Sequence, residues 1–307
     1  MDRRDFLKNT AALVLTAGVA GKLAGGSLPV ESAHVKKSGE PDLAALRGGS
    51  PGDMFDAGIA LFGGLGAFVK PGCSVLIKPN IGWDRPPESG ANTNPELVGR
   101  MVRRCLEAGA KTVSVFDHTC DNWVASYDAS GIRAAVEAAG GRMVSGAVEA
   151  DYREVEIPRA AGMKRALVHR LVLDSDVFFN VPVLKHHGGA KMSCAMKNFM
   201  GIVWDRRYMH RNNLNRSIAD ACLIRRPDLN IVDAWRVMTS GGPRGHAYSV
   251  IRDLKSLLLS RDIVAVDVAS ARLIGFPMRS IGYLAAGREA GLGTTDLHRL
   301  DIRRVEL

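Results

Sequence analysis

Residues 73–80 read Cys-Ser-Val-Leu-Ile-Lys-Pro-Asn, a short apolar run that follows a Pro-Gly turn and ends in polar residues. A continuous apolar run of this length, bounded by turn residues, is typical of a strand buried on both faces of a sheet. Runs of the same form occur at residues 112–116, 177–181 and 229–232. Together these runs predict several neighbouring strands in the interior of one sheet.

Segments with helical spacing of apolar residues alternate with these strands. Residues 95–108 carry Leu97, Met101 and Cys105 on one face and stop at Gly109, and residues 263–274 follow Asp262, a candidate N-cap. Further helices are predicted at residues 130–139, 214–224 and 281–290. This alternation predicts an α/β fold, with a mainly parallel doubly wound sheet and helices on both faces.

The first 35 residues have a different character. Residues 2–8 read Asp-Arg-Arg-Asp-Phe-Leu-Lys, the pattern of a twin-arginine export signal, and the apolar stretch at residues 10–24 is too short to span a bilayer. The pattern predicts that the twin-arginine export machinery carries the folded protein to the periplasm or another extracytoplasmic site, with the signal cleaved or kept as an anchor. Residues 36–70 are then predicted to be a linker and a leading helix, and residues 71–307 one α/β domain.

Composition narrows the classes of function. The formal net charge is +9, but the basic residues are scattered, which argues against nucleic-acid binding and favours small anionic ligands. The five cysteines form no Cys-x-x-Cys pair, so the chain has no motif for an iron–sulfur cluster or a zinc ribbon. A metal ion remains a candidate cofactor, of a kind that the composition does not specify.

Polar residues follow each of the predicted strands, where ligands collect in open α/β sheets. We therefore expect one pocket that gathers the residues at these strand ends, which are Lys78, Asn80, Asp117, His118, Lys185, His186, His187 and Asp233.

Residues 185–210 are the densest candidate segment and are predicted to form a functional loop. Lysines 185, 191 and 197 can receive an anion, Gly188-Gly189 can bring backbone amides close to it, and Asn198 can orient it. His186, His187 and His210 are candidate metal ligands or proton carriers. The methionines of this segment suit copper(I), but Met192, Met196, Phe199 and Met200 have the spacing of a packed helix face, which we favour.

A glycine-rich turn at residues 241–245 is a second clue. It contains Arg244 and follows the predicted strand-end carboxylate Asp233, so that it either approaches a ligand or simply connects two elements.

Several motifs, in order from about residue 73 to residue 307, resemble the domain of unknown function 362 family. They are Val75-Leu76-Ile77-Lys78-Pro79-Asn80, Asn94-Pro95-Glu96-Leu97-Val98, Asn180-Val181-Pro182-Val183-Leu184-Lys185-His186, Met196-Lys197-Asn198-Phe199-Met200-Gly201, His210, Ile218-Ala219-Asp220, Ile231-Val232-Asp233-Ala234, Gly241-Gly242-Pro243-Arg244-Gly245 and Ala265-Val266-Asp267. If these motifs mark a site, the resemblance adds Asp267 to the strand-end residues, unless Asp267 serves its own helix. Some family members carry an added ferredoxin module with iron–sulfur clusters, for which this chain lacks the cysteines.

A shorter similarity links residues 115–119, Val-Phe-Asp-His-Thr, to the Asp-His-Thr motif of the nickel-pincer lactate racemase family. That family continues with Arg, whereas this chain has Cys120.

Three functions fit these observations. The first is an exported enzyme, metal- or cofactor-associated and redox-linked, acting on a small anionic substrate. In it His186, His210 and Asp117 are catalytic, and the ligand is bound by Lys78, Asn80, Lys185, Lys197, Asn198, Asp233 and Arg244. The second is a non-catalytic periplasmic protein that binds an anion or a metal, and the third is a racemase-like enzyme with a nickel organometallic cofactor.

These functions predict different geometries. An enzyme should show a histidine–carboxylate pair in a concave pocket with lysines at its rim, whereas a binding protein should have two hinged lobes and no such pair. A racemase-like site should place a lysine and two or more histidines around one gap.

Overall fold

The computed structural model describes residues 39–307, so the predicted export signal in residues 1–35 lies outside the described residues. The strands of this part of the chain are β1 (Leu43–Arg47), β2 (Ser74–Pro79), β3 (Thr112–Val115), β4 (Arg142–Met143), β5 (Tyr152–Glu156), β6 (Arg165–His169), β7 (Val177–Val181), β8 (Val183–His187), β9 (Lys191–Ser193), β10 (Leu229–Ser240), β11 (Val250–Ser260) and β12 (Ile302–Glu306). Its α-helices are α1 (Pro51–Leu61), α2 (Pro95–Glu107), α3 (Trp123–Ala129), α4 (Ile132–Ala138), α5 (Arg170–Asp174), α6 (Ala195–Asn198), α7 (Arg206–Arg211), α8 (Leu214–Cys222), α9 (Ile263–Ile274) and α10 (Gly282–Glu289).

Ten strands form one sheet whose central path runs β12-β1-β11-β10-β7-β2-β3-β4. The pairs from β10 to β4 are parallel, whereas β11 is antiparallel to β1 and β10. Strand β8 runs parallel beside β10 and forms a hairpin with β9, and β5 and β6 form a separate two-stranded sheet. The predicted mainly parallel α/β sheet is confirmed.

Successive residues of the central strands enter two separate apolar cores, one on each face of the sheet. In β2, Leu76 belongs to one core, whereas Val75 and Ile77 belong to the other. Helices α1, α2 and α4 cover the second core, and α8, α9 and α10 cover the first. Because side chains alternate along a strand, a strand apolar at every position requires a helix layer on both faces. The predicted helices on both faces are therefore confirmed.

The caps of two helices follow the sequence directly. Asn94 accepts a hydrogen bond from Glu96 N at the start of α2, and Asp262 accepts from Val264 N and Ala265 N at the start of α9. Such side-chain caps satisfy backbone amides that have no partner within the helix.

The structure corrects the description of residues 36–70. The leading helix is present as α1, but Leu43–Arg47 is strand β1, which pairs with β11 on one side and with β12 on the other. Its first four residues are buried. Pairing partners far along the chain, rather than local composition, order this segment.

Two further local predictions were wrong. Residues 183–193 form the β8–β9 hairpin rather than a loop, so that Met192 lies in a strand and not on the helix face of Met196. Strand β10 does not end before Asp233 but continues to Ser240, because β11 pairs with it over this length. Within residues 39–307, no helix combines the length and the apolar character that crossing a bilayer requires.

Candidate functional site

The carboxyl ends of β2, β3 and β7 open onto a cavity of about 1210 Å³. Asn80 follows β2, Asp117 and His118 follow β3, and Pro182 follows β7, and all four line this cavity. The β8–β9 hairpin and the segment from Ser193 to Asn212 form most of the remaining wall. The structure thus brings together most of the strand-end residues that the sequence singles out.

A buried ion pair supports the floor of the cavity. Lys78 Nζ lies 2.7 Å from Asp117 Oδ1, and both side chains are at most 2% exposed. Lys78 Nζ also donates to Pro79 O and to Asn198 Oδ1, at 2.7 and 2.9 Å. Burial lowers the pKa of Lys78, and the carboxylate of Asp117 opposes that shift. Three acceptors, one of them charged, match the three hydrogens of an ammonium group.

Gly201 packs directly against this ion pair. A Cβ atom at position 201 would lie 1.9 Å from Asp117 Oδ1 and 2.7 Å from Lys78 Nζ. Only a residue without a side chain therefore leaves the pair in place.

Buried asparagines extend the polar network across the sheet. Asn198 donates to Asn180 Oδ1, and Asn180 in turn donates to Asn230 Oδ1, at 2.8 and 2.9 Å. Lys78, Asn180 and Asn230 lie beside one another in the register of β2, β7 and β10. Buried polar groups of this kind are stable only when each finds a partner, so the network fixes the positions of Lys78 and Asn198.

Lys185 differs from Lys78 in its partners. Its Nζ donates to Asn80 Oδ1 at 2.7 Å and to Ala91 O, and both acceptors are neutral. The side chain is 2% exposed, lines the cavity and forms no ion pair with another described residue. Burial lowers the pKa of Lys185 to about 7, and the positive charge of Lys197 adds to this effect.

Basic side chains outnumber carboxylates along the wall. Lys185, Lys197 and three arginines, Arg206, Arg207 and Arg211, line the cavity, against Asp117, Glu149 and Asp205. None of these five basic side chains is ion-paired with another described residue, whereas Asp117 is already paired with Lys78. Among residues 39–307, Lys197 Nζ has only the sulfur of Met200 as a hydrogen-bond partner, at 3.4 Å, and burial lowers the pKa of Lys197 to about 8. The cavity therefore carries an excess of positive charge that a bound anion can balance.

His118 presents a free ring nitrogen. Its Nδ1 lies 3.0 Å from Val203 O, and because a carbonyl oxygen only accepts, Nδ1 carries the proton and Nε2 a lone pair. The ring stacks on Trp204 with centroids 5.0 Å apart. Burial lowers the pKa of His118, and the neighbouring Arg206 adds to this. The geometry is that of a neutral histidine able to accept a proton at Nε2.

His187 has the opposite tautomer. Its Nδ1 accepts hydrogen bonds from Gly189 N and Ala190 N, at 3.1 and 3.0 Å, so its proton is at Nε2. Burial lowers the pKa of His187 to about 3, assisted by the charges of Lys197 and Lys185. His187 is therefore a neutral hydrogen-bond donor on the cavity wall.

His186 lies outside the cavity. Residues alternate along β8, so Lys185 and His187 line the cavity, whereas His186 accepts a hydrogen bond from Gly242 N and contacts the ring of Phe276. His210 is an exposed residue of α7 at the cavity wall, where partial desolvation of its ring and the charges of Lys197 and Arg206 lower its pKa. The predicted catalytic role of His186 consequently has no support from its position.

The candidate metal ligands His186, His187 and His210 do not form a cluster. Across residues 39–307, no group of three or more His, Cys, Asp or Glu side chains is arranged to hold a metal ion. This part of the chain also contains no hydrogen bond between a histidine and a carboxylate in the cavity wall. Where the sequence predicted a histidine–carboxylate pair, the structure has the Lys78–Asp117 ion pair and two neutral histidines, His118 and His187, each with a defined tautomer.

Three other candidates serve the scaffold. Asp233 accepts from Asn94 N and Trp235 N, and burial raises the pKa of Asp233 to about 6. Asp267 does not serve its own helix but accepts from Ala195 N and Met196 N at the start of α6, where burial raises the pKa of Asp267 to about 7. Arg244, the third of these candidates, is ion-paired with Asp84 and Asp121. Asp233, Asp267 and Arg244 do not line the cavity.

Sequence reasoning missed Arg206, and it placed His118 in the expected pocket without giving it a catalytic or binding role. Arg206 donates to the carbonyl oxygens of His118 and Thr119 and to Cys120 Sγ, and so holds the loop after β3 against α7. The Asp117-His118 pair directly after a buried strand was the available signal for His118. Arg206 had no such signal, because it follows no strand.

Comparison with known proteins identifies the family. The family model described as "Domain of unknown function (DUF362)" matches residues 75–272 of this chain. The chain belongs to the DUF362 family. A relative, a thylakoid-associated protein of Synechocystis sp., is 27% identical over 246 residues, which cover 76% of this chain and 73% of that protein.

Solved structures also resemble this DUF362 protein, and one of them is a racemase. The lactate racemase apoprotein from Thermoanaerobacterium thermosaccharolyticum aligns with a TM-score of 0.41 and 12% identity, over 71% of this chain and 56% of that one. The aligned part is thus less than two-thirds of the length of the racemase.

Proposed function

We propose that this DUF362 protein is an enzyme that binds a small organic anion, a carboxylate or a phosphate ester, in the cavity beyond β2, β3 and β7. The observation that carries the proposal is the group of basic side chains on one wall with no carboxylate partner among the described residues. Arg207 and Arg211 are exposed, but Lys197 and Arg206 are partly buried, and a partly buried cation without a carboxylate partner is stabilised when an anionic ligand balances its charge.

The neutral groups beside these cations supply the chemistry. His118 offers an Nε2 lone pair that can take a proton from the bound anion. His187 offers an Nε2 hydrogen that can donate to charge developing on a substrate oxygen, and its low pKa keeps it neutral in this role. A base and a hydrogen-bond donor in one cationic cavity suit proton abstraction next to a carboxylate or carbonyl group.

Anion binding is tested with inorganic phosphate by calorimetry. Lys197→Gln should weaken phosphate binding about 10- to 100-fold, because a charge-assisted hydrogen bond contributes about 1.5–3 kcal/mol. Lys191→Gln is the matched control, since it removes the same charge six residues earlier in the chain, in β9, but lies outside the cavity lining. Equal affinities of the two variants would contradict the proposal.

Catalysis is tested by incubating the protein with a panel of small carboxylates and phosphate esters in deuterated water. The enzyme should exchange a carbon-bound hydrogen of its substrate, and His118→Gln should lower the rate about 100-fold or more while phosphate affinity stays within a few-fold. Phosphate binding without exchange of any compound would favour the second function, a non-catalytic anion-binding protein. Within residues 39–307 the cavity wall has no hydrogen bond between a histidine and a carboxylate, and this observation keeps the second function open.

The metal-associated, redox-linked and racemase-like interpretations stay predictions, because no cluster of ligands among residues 39–307 supports them. Export to the periplasm is likewise part of this proposal and rests on the residues that precede the described part of the chain. Arg3→Lys with Arg4→Lys should retain the protein in the cytoplasm, as measured by cell fractionation, and normal export of this variant would contradict it.

A further inference from the structure

The two most deeply buried lysines of the site have different numbers of acceptors. Lys78 Nζ faces three, of which one is the carboxylate of Asp117. Lys185 Nζ has two acceptors among the described residues, Asn80 Oδ1 and Ala91 O, and both are neutral. An ammonium group has three hydrogens to place, whereas a neutral amine has two hydrogens and a lone pair.

The surroundings of Lys185 therefore match the neutral amine. Its two hydrogens are taken up by the two acceptors, and the third tetrahedral position of the nitrogen carries the lone pair. Lys185 lines the cavity, although it is only 2% exposed. A buried amine with no counter-ion avoids the cost of an unpaired charge by remaining uncharged.

An uncharged lysine at a ligand cavity is a nucleophile rather than an anion-binding group. The wall beside it supplies separate groups for the negative charge, Lys197 and Arg206, which are not ion-paired with other described residues. A ligand that satisfies both features needs an anionic group and an electrophilic carbon in the same small molecule.

We infer that Lys185 condenses with the carbonyl carbon of an anionic aldehyde or 2-oxo acid bound in this cavity. The inference rests on the proposed function and names its substrate class. The nitrogen lone pair forms the C–N bond, and the carbonyl oxygen leaves as water with two hydrogens, one from the amine and one from a solvent proton. The product is a protonated imine, whose remaining N–H donates to Asn80 Oδ1 or to Ala91 O. No oxidant or reductant takes part in this step.

The experiment uses the full chain, with glyoxylate and pyridoxal phosphate as probes, each in turn, and cyanoborohydride to reduce any imine to a stable amine. Peptide mass spectrometry then gives the extent of modification at every lysine. An ordinary lysine is unprotonated in about one molecule in 2,500 at pH 7, so Lys185 should be modified at least about a hundredfold faster than exposed lysines. Lys185→Arg should abolish this fast modification, and Lys191→Arg, in the same hairpin, should leave it unchanged.

Mapping of the unaltered protein decides the question even if Lys185→Arg fails to fold. Fast adduct formation at Lys185 with either probe supports the inference. Adducts from both probes that are spread over the exposed lysines, or that lie at Lys78 or Lys197 instead, overturn it.

Inorganic phosphate separates this inference from the proposed function. Phosphate should slow the modification of Lys185 about tenfold or more, because it competes for the cations of the wall. If phosphate binds but Lys185 never reacts, the anion-binding function stands and the inference falls. If Lys185 reacts fast and phosphate has no effect, the nucleophile stands and the anion site falls.

Discussion

The buried ion pair of Lys78 and Asp117 gives the sharpest prediction about the stability of this protein. Asp117→Asn keeps the shape of the side chain and the hydrogen bond from Ile81 N but removes the negative charge. Lys78 Nζ would then have two full acceptors and a neutral amide, in a position that is completely buried. The lysine is expected to lose its proton rather than remain a buried and unbalanced charge.

The magnitude follows from the cost of that deprotonation. Removing a proton from a lysine of ordinary pKa at pH 7 costs about 5 kcal/mol, which sets the upper limit for the loss of unfolding free energy. Measured losses on breaking buried pairs are about 3–5 kcal/mol, so a decrease in this range is expected. For a domain of this size, it corresponds to a decrease in Tm of about 10 °C.

The loss should depend on pH with a definite sign. In Asp117→Asn the folded-state pKa of Lys78 falls further below its unfolded value, so at neutral pH the unfolded state binds more protons than the folded state. The stability of the variant should therefore rise by about 1.4 kcal/mol per pH unit, and its deficit should shrink between pH 7 and pH 10.

Urea denaturation, followed by tryptophan fluorescence at several pH values, measures this deficit. Asp205→Asn is the matched control, because Asp205 is an exposed carboxylate of the same cavity. Asp205 accepts a hydrogen bond from Tyr208 N, and an asparagine side chain can accept the same bond. The double variant Lys78→Met with Asp117→Asn should recover at least half of the lost stability, since no charge is then buried. A deficit below about 1 kcal/mol that does not change with pH would refute the argument.

Two further predictions concern the scaffold of the site. Gly201→Ala should destabilise the protein by about 3 kcal/mol, since the new methyl group must displace the Lys78–Asp117 pair. Gly188→Ala is the control and should change the Tm little, because a Cβ at position 188 has no atom within 4 Å. Equal Tm values for the two variants would contradict this prediction. Asp267, whose pKa burial raises to about 7, should contribute stability that is complete below about pH 4 and lost as the pH rises to about 7. The variant Asp267→Asn does not titrate at this position. Relative to it, the unfolding free energy of the wild-type protein should decrease by up to about 4 kcal/mol over this pH interval, as measured by thermal or urea unfolding. If the unfolding free energies of the two proteins change with pH in parallel, Asp267 is not protonated in the folded state.

His186 and His187 show a limit of predicting the site from local sequence alone. His186 and His187 are adjacent, and the sequence made both of them candidate metal ligands or proton carriers but gave the catalytic role to His186. Strand β8 pairs with β10 and β9 in a register that directs Lys185 and His187 towards the cavity and leaves His186 against Gly242. A shift of one residue in that register would exchange the two histidines, and no feature of the local sequence specifies the register.

Asp233 illustrates a second limit. A carboxylate at the end of a short apolar run was a reasonable ligand for the cavity, and the run itself is a strand as predicted. The strand continues because β11 pairs with residues beyond Asp233, and the carboxylate then binds the amide of Asn94 at the start of α2. The length of a strand depends on its partner, which lies elsewhere in the chain.

The sequence by itself determined the α/β class, the helix layers on both faces and the family of this protein. Apolar runs, helix caps and sequence motifs are local features, and each can be recognised from a few consecutive residues. Only the tertiary structure decided which acceptors each of the two buried lysines meets. That difference depends on the carboxylate of Asp117, which follows the neighbouring strand β3 and reaches Lys78, whereas Lys185 meets only Asn80 and Ala91 among the described residues. The chemistry of a buried amine is set by the acceptors around it, and folding alone brings them together.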